Sequence, residues 1–277
     1  MSAVAHTTLR ELELRGLVEQ VTHRDELEAR MERGPITGYC GFDPTATSLH
    51  IGNLLPVMLL AHMQRLGHRV IAVVGGATGM IGDPSGRDTE RQLLTEDRIR
   101  QNCDAIRAQL STYLRFDGDN PAVLVNNHDW IGPFSFIGWL RDVGKHFTVN
   151  QMIGKESVKR RLESREQGIT YTEFSYQMLQ AYDFMHLRRE LGCELQVGGN
   201  DQWGNITAGC DLTHKVLGER VFALTCALMT TATGEKLGKS AGNSIWLDAE
   251  LTSPYEFYQY WIQTDDRDVE RWLKIFT

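Results

Sequence analysis

Three groups of side chains in this sequence have types and spacings that could do chemistry. The first is Asp43-Pro44-Thr45-Ala46-Thr47-Ser48-Leu49-His50-Ile51-Gly52-Asn53. A strand-like run delivers it and a helical pattern follows. It therefore sits where a helix N-terminus offers free N–H groups and the positive end of a dipole to an anion. His50 and Thr45 would add side-chain donors for a phosphate, although a proline turn capped by Ser48, with His50 on the surface, fits the same residues. The second group is Gly234-Glu235-Lys236-Leu237-Gly238-Lys239-Ser240. It is not a Walker A loop, because Thr233 stands where the first glycine is required and no apolar strand directly precedes it. It reads as a loop whose Lys236 and Lys239 could embrace a polyphosphate, or as a solvated lysine turn. The third group is Tyr176, Gln180 and Asp183, whose spacings of four and seven put them on one helical face. Buried, that stripe needs hydrogen-bonding partners; otherwise it faces solvent or a neighbouring helix.

The elements that must position these groups follow from the hydrophobic pattern. Thr8–Glu19 and Thr22–Glu32 read as charged amphipathic helices. Ile36–Phe42 reads as a strand, and a helix follows from about Leu49 to Leu66. Val70–Val74 is a continuous apolar run, as in a buried parallel strand, and it flows into the glycine-rich stretch Gly75–Gly86. Thr95–Leu114 predicts a helix, Ala122–Asn126 a strand, and Pro133–Gln167 a helical segment. Thr172–Leu191 predicts a helix capped by Thr172 or Thr170. Glu194–Val197 is strand-like and ends at Gly198-Gly199, and Asp201–Leu217 is helical. Alternating strands and helices predict a parallel α/β sheet. Ligands of such sheets sit beyond the carboxyl ends of the strands. The loops at Gly41, Gly75 and Gly198 all follow strand candidates and so should converge on one site.

Composition narrows the functional classes. Apolar residues make up 42% and charged residues 23%, with a formal net charge of −7. Any contact with RNA must therefore come from local basic patches. The five cysteines, Cys40, Cys103, Cys193, Cys210 and Cys226, are widely spaced with no Cys-x-x-Cys pair. That argues against a zinc knuckle or a disulfide framework and predicts reduced thiols in a cytoplasm. Met1–Arg10 lacks the apolar stretch of a signal peptide, and no run is long enough for a membrane span.

Asp43–Asn53 resembles the HIGH signature of class I aminoacyl-tRNA synthetases, and Lys236–Ser240 their KMSKS loop. Tyr39–Asp43, Gly75–Gly86, Tyr171–Phe184 and Gln196–Asn205 resemble, in order, the bacterial-type enzymes for tyrosine. The likeness spans about Leu9 to Thr277. There are two departures from the family pattern: Asn53 replaces the second histidine of the signature, and Arg87 stands where lysine is frequent. The resemblance implies a Rossmann-like, doubly wound parallel sheet in residues 1–235 with a helical insertion around 130–167. It further implies a phosphate loop and the start of a helical C-terminal region in 236–277. The family's C-terminal RNA-binding domain is missing, so tRNA charging by this chain is expected to be poor.

The resemblance also implies roles for named residues. Tyr176, Gln180 and Asp83 would hold the ammonium of L-tyrosine, Tyr39 and Asp183 its phenol, and Gln196 and Gln202 would orient it. A zwitterionic amino acid with a phenol would supply the partners that the polar stripe needs. An indole, which only donates, suits Tyr39 and Asp183 less well. Thr45, His50, Lys236 and Lys239 would act on the phosphates, with Arg87 and Arg91 as helpers. Gly41, Asp43, Asn53, Gly199 and Asp201 would complete the ATP site, and Mg²⁺ would accompany the phosphates. Expected partners are tRNA(Tyr), through Lys155, Lys159, Arg160 and Arg161 or Lys215, and a second copy of the chain through Trp130, Phe134, Phe136 and Trp139. Other readings are the tryptophan enzyme, a non-catalytic RNA-binding paralogue, and another nucleotidyltransferase with the HIGH signature.

Overall fold

The computed structural model describes residues 7–85, 93–155, 158–159, 162, 168–227, 230–232, 239–240 and 243–277. Six strands form one sheet: β1 Gln20–Val21, β2 Thr37–Phe42, β3 Arg69–Val74, β4 Val123–Asn126, β5 Leu195–Gly199 and β6 Phe222–Cys226, in the order β1-β6-β5-β2-β3-β4. All neighbours are parallel except β1, which runs antiparallel to β6. The chain winds from β2 outward through β3 and β4, then restarts on the other edge of β2 with β5 and β6. This is the expected doubly wound α/β sheet, with an antiparallel edge strand added. Its topological switch point lies between β2 and β5, where such sheets bind ligands.

Burial explains the strands. Val70–Val74 is almost fully buried, as in a sheet covered on both faces. Phe42 pairs with Val74, so β2 and β3 end level and Asp43 comes beside Gly75. The helix Ile51–Arg65 leaves the carboxyl end of β2 and buries Leu54, Leu55, Met58 and Leu59 in the main core. The helices Pro254–Ile262 and Asp266–Phe276 follow, and Trp272 and Ile275 join that same core. A Ser253–Glu256 capping box starts the first of them.

Several elements differ from the sequence expectation. The first helix ends at Leu14, because Gly16 takes a left-handed φ of 74° and turns the chain toward β1. The segment Pro133–Gln167 is not one helix. Phe136–Asp142 and Val149–Ile153 are restarted by the hydroxyls of Ser135 and Thr148, with a 3₁₀ turn between them. Thr170, not Thr172, caps the long helix Tyr171–Leu191. Strand β6 has all five residues buried and was not anticipated. Among the described residues no helix is long and apolar enough to cross a membrane.

Candidate active site

A cavity of about 940 Å³ opens at the switch point. Strand β2 contributes Tyr39, Gly41 and the following Asp43, Thr45, His50 and Asn53. The glycine-rich stretch contributes Asp83, the Tyr171–Leu191 helix Tyr176, Gln180 and Asp183, and β5 with its following turn Gln196, Gly199, Asp201 and Gln202. Every candidate site residue whose side chain is described therefore lines one cavity. Lys236, Arg87 and Arg91 lie outside the described residues, and only the backbone of Lys239 is described. The described chain on both sides of the lysine loop does reach this cavity, through Cys226 and Ala227 before it and Ser244 and Trp246 after it.

At the deep end, Asp183 is buried and accepts from Asn127 Nδ2 at 3.0 Å and Trp130 Nε1 at 2.8 Å. Burial pushes its carboxyl up to about 7, against those two hydrogen bonds. Tyr39 is buried beside it, its ring edge-on to Phe184 at 5.3 Å. Burial, and then the charge of Asp183, hold the Tyr39 phenol well above its usual range. The Tyr39 hydroxyl, Gln180 Oε1 and Gln196 Oε1 are buried without a hydrogen-bond partner among the described residues.

Tyr176 Oη donates to Asp43 Oδ2 at 2.7 Å, and Thr78 Oγ1 donates to Asp43 Oδ1 at 2.7 Å. Asp43, expected as a nucleotide contact, thus also braces Tyr176 and Thr78 within the cavity. The Tyr176 hydroxyl donates its hydrogen bond to Asp43 and can still accept one through its lone pairs. Asp83 accepts from Gln202 Nε2 at 2.6 Å and from Ser85 N at 2.9 Å. Burial with Asp43 and Asp83 nearby raises the Tyr176 phenol well above its usual range. This concentration of carboxylates suits an ammonium group.

At the mouth, His50 caps the Ile51–Arg65 helix, and Asn53 Oδ1 accepts from His50 N at 3.0 Å. The Asn53 carbonyl thus helps to start the helix, and the residue also lines the cavity. A Cβ on Gly41 would meet nothing within 4 Å, so the backbone is open to close approach there. Asn127 was missed by the sequence reading. It is fully buried, accepts from Ala77 N at 2.8 Å, and donates to Thr78 Oγ1 and Asp183. An asparagine after a strand carries no distinctive signal.

Several residues expected at partner contacts also make contacts within the chain. Trp130, Phe134 and Trp139, expected at a subunit contact, pack inward around Tyr182, and Trp130 donates to Asp183. Phe136 stays exposed, with Ile137 and Leu140. Lys155 Nζ donates to Thr207 Oγ1 at 3.1 Å and Lys215 Nζ to His146 O at 3.0 Å. Both lysines therefore tie the insertion to the Trp203–Leu217 helix. Arg160 and Arg161 lie outside the described residues.

A doubly wound sheet, a polar cleft at its switch point and a histidine-capped helix N-terminus at the mouth of that cleft are the frame of a class I synthetase. The family model of the tRNA synthetases class I (W and Y) matches residues 31–277, and the chain belongs to this family. It is 55% identical over 270 residues to the tyrosine–tRNA ligase of Yersinia enterocolitica serotype O:8 / biotype 1B, covering 97% of this chain and 64% of that protein. It is 54% identical to that of Yersinia pestis strain Pestoides F, with the same coverage. The chain thus spans just under two thirds of the length of these relatives. Among solved structures it resembles a C-terminally truncated mitochondrial tyrosyl-tRNA synthetase of Aspergillus nidulans, with 32% identity and a TM-score of 0.88, covering 98% of this chain and 80% of that one. The corresponding Coccidioides posadasii protein gives 34% identity and a TM-score of 0.83, covering 98% and 79%.

Proposed function

We propose that this chain activates L-tyrosine with ATP and serves the charging of tRNA(Tyr). The observation that carries the reading is the two-ended cavity. Its buried end offers an unpartnered phenol and a carboxylate, Tyr39 and Asp183, and its mouth offers the His50-capped helix N-terminus. Tyrosine enters with its phenol toward Tyr39 and Asp183. Its ammonium lies among Tyr176, Gln180 and Asp83, and Gln196 and Gln202 orient it. A tyrosine carboxylate oxygen attacks the α-phosphorus of ATP, the bond to the bridging oxygen breaks, and pyrophosphate leaves. The ribose hydroxyl of the tRNA 3′ end then attacks the carbonyl carbon of the adenylate, and AMP departs.

No protein nucleophile takes part. The protein contributes alignment and neutralises charge that builds on the leaving group. Thr45, His50, Lys236 and Lys239 act on the phosphates, while Asp43, Asn53, Gly41, Gly199 and Asp201 hold the nucleoside and the turn around it. Mg²⁺ arrives with the triphosphate. Magnesium bound with a nucleoside triphosphate usually keeps phosphate and water oxygens as most of its ligands. The division at residue 235, with an insertion around 130–167, is part of the same proposal. A second copy would dock on the face carrying Phe136 and Ile137, which are 64% and 70% exposed. The five free thiols agree with a cytoplasmic setting.

The test is ATP–pyrophosphate exchange with tyrosine, tryptophan and phenylalanine in separate reactions. Exchange with tyrosine alone is the expected result. Exchange with tryptophan, or with no amino acid, refutes the assignment.

A further inference from the structure

The helix Glu96–Tyr113 contributes no substrate contact in the reading above, yet it grips the phosphate turn at two points one heptad apart. Asn102 Nδ2 donates to Pro44 O at 2.8 Å. Gln109 Oε1 accepts from Leu49 N at 2.7 Å, and Gln109 Nε2 donates to Ser48 Oγ at 2.8 Å. Ser48 is buried, and its hydroxyl is saturated: it donates to Leu49 O at 2.7 Å and also accepts from Asp248 N at 3.1 Å. Leu49 O accepts a second bond, from Leu247 N, and Ile51 N donates to Ile245 O. The chain returning from the two-lysine loop is thus stitched to the turn that holds His50, with Trp246 edge-on to the His50 ring at 5.9 Å.

We propose that Gln109 is a positioning residue for adenylate formation, acting through Ser48 and Leu49. It fixes His50 and the helix N-terminus relative to the segment Ile245–Asp248 that follows the lysine loop. The inference rests on the functional reading above and goes beyond it. A hydroxyl with one donated and two accepted hydrogen bonds has no orientational freedom left. Among the described residues, Gln109 is the partner of that hydroxyl that also holds the next backbone N–H. Loss of Gln109 frees the turn to shift, and small misplacements of aligned groups are costly in rate. The phenol end of the cavity hangs from β2 and the Tyr171–Leu191 helix, which Gln109 does not touch through these bonds. The effect should therefore fall on the ATP side.

The experiment compares the unmodified chain with Gln109→Met, Ser48→Ala and the double variant. Each is measured for equilibrium tyrosine binding and for ATP–pyrophosphate exchange with ATP varied at saturating tyrosine. Gln109→Met should lose roughly ten- to a hundredfold in kcat/KM for ATP while tyrosine affinity stays within about twofold. The double variant should be little worse than the poorer single one, since both break one node. Gln109→Glu keeps the acceptor for Leu49 N and should fall between the unmodified chain and Gln109→Met, which covers the case of a poorly folding Met variant. Unchanged exchange kinetics, equal losses on tyrosine binding, or fully additive effects would each overturn the proposal. If the unmodified chain gives no tyrosine-dependent exchange, the functional reading itself fails, a result distinct from an active parent with insensitive variants.

Discussion

Replacing Tyr39 with phenylalanine should stabilise the ligand-free protein and weaken its hold on tyrosine. The Tyr39 ring is 1% exposed and keeps its edge contact with Phe184 in either form. What changes is one hydroxyl, buried without a partner among the described residues. Holding an unsatisfied polar group in the interior costs about 1–3 kcal/mol. At the lower end, which fits a group bordering a cavity, removal should raise Tm by roughly 2–4 °C for a chain of this size. Under the proposed function, the same hydroxyl would gain the substrate phenol as partner in a tyrosine complex. Its loss there should weaken binding by about 0.5–1.5 kcal/mol, or roughly two- to tenfold. Discrimination against phenylalanine should narrow, because one group that a bare ring leaves unpaired is gone. Calorimetric unfolding without ligand, paired with exchange kinetics for tyrosine and phenylalanine, reads both signs. A Tyr39→Phe protein that melts lower than the parent and keeps its KM for tyrosine would refute the reasoning.

Gly75→Ala should abolish exchange and lower stability by about 2 kcal/mol or more, because the new Cβ would sit 2.1 Å from Asp43 Oδ1 and 2.3 Å from Thr78 Oγ1; exchange assays and denaturant melts check this. Two buried groups should tilt the stability–pH profile in opposite senses. His68 Nδ1 accepts from Ile36 N at 3.1 Å, and burial, then Arg30, lowers its pKa. Its contribution is therefore fully present above the ordinary histidine value and is lost as pH falls from there through the lowered folded-state value. Asp183, raised to about 7 from 3.8, binds a proton more tightly when folded, so stability drains as pH rises from about 4 to 7, by at most about 1.4 kcal/mol per pH unit. Thermal melts from pH 4 to 8 should show the acid limb shrink in His68→Gln and the slope toward neutrality flatten in Asp183→Asn.

The parts of the fold legible from sequence are those where one local signal sufficed. Val70–Val74 is apolar without interruption because both sheet faces are covered. The 176/180/183 spacing survives because a helix of 21 residues keeps its phase throughout. Strand β6 escaped notice because Phe222–Cys226, unlike Val70–Val74, has no valine or isoleucine and is interrupted by Thr225, so the β-branched enrichment that marks a short buried strand is weak there. What makes it a strand is its parallel partner β5 and the antiparallel cover of β1. Trp130 reads as an interface residue because it is a large apolar side chain near the helical insertion, and no partner for its indole N–H is visible in the sequence. That partner, Asp183, lies 53 positions away.

The same distinction runs through the site. Side chains that would touch ligand lie in motifs, since each must leave a strand end or helix start at a set spacing. The groups that hold them are scattered: Asn127 after β4, Gln109 on the Glu96–Tyr113 helix, Thr78 in the glycine-rich stretch. Their common feature is geometric, because each satisfies backbone or polar side-chain groups of loops that follow β2 or β3. The register pairing Phe42 with Val74 sets Asp43 against Gly75 and Thr78, and Asn127 then spans from Thr78 to Asp183. A one-residue slip in that register would turn Tyr39 to the other face of the sheet. It would also part Asp43 from Thr78. The phenol end and the carboxylates that brace it are therefore set by one strand pairing, and the two ends of the cavity keep their spacing only while that pairing holds.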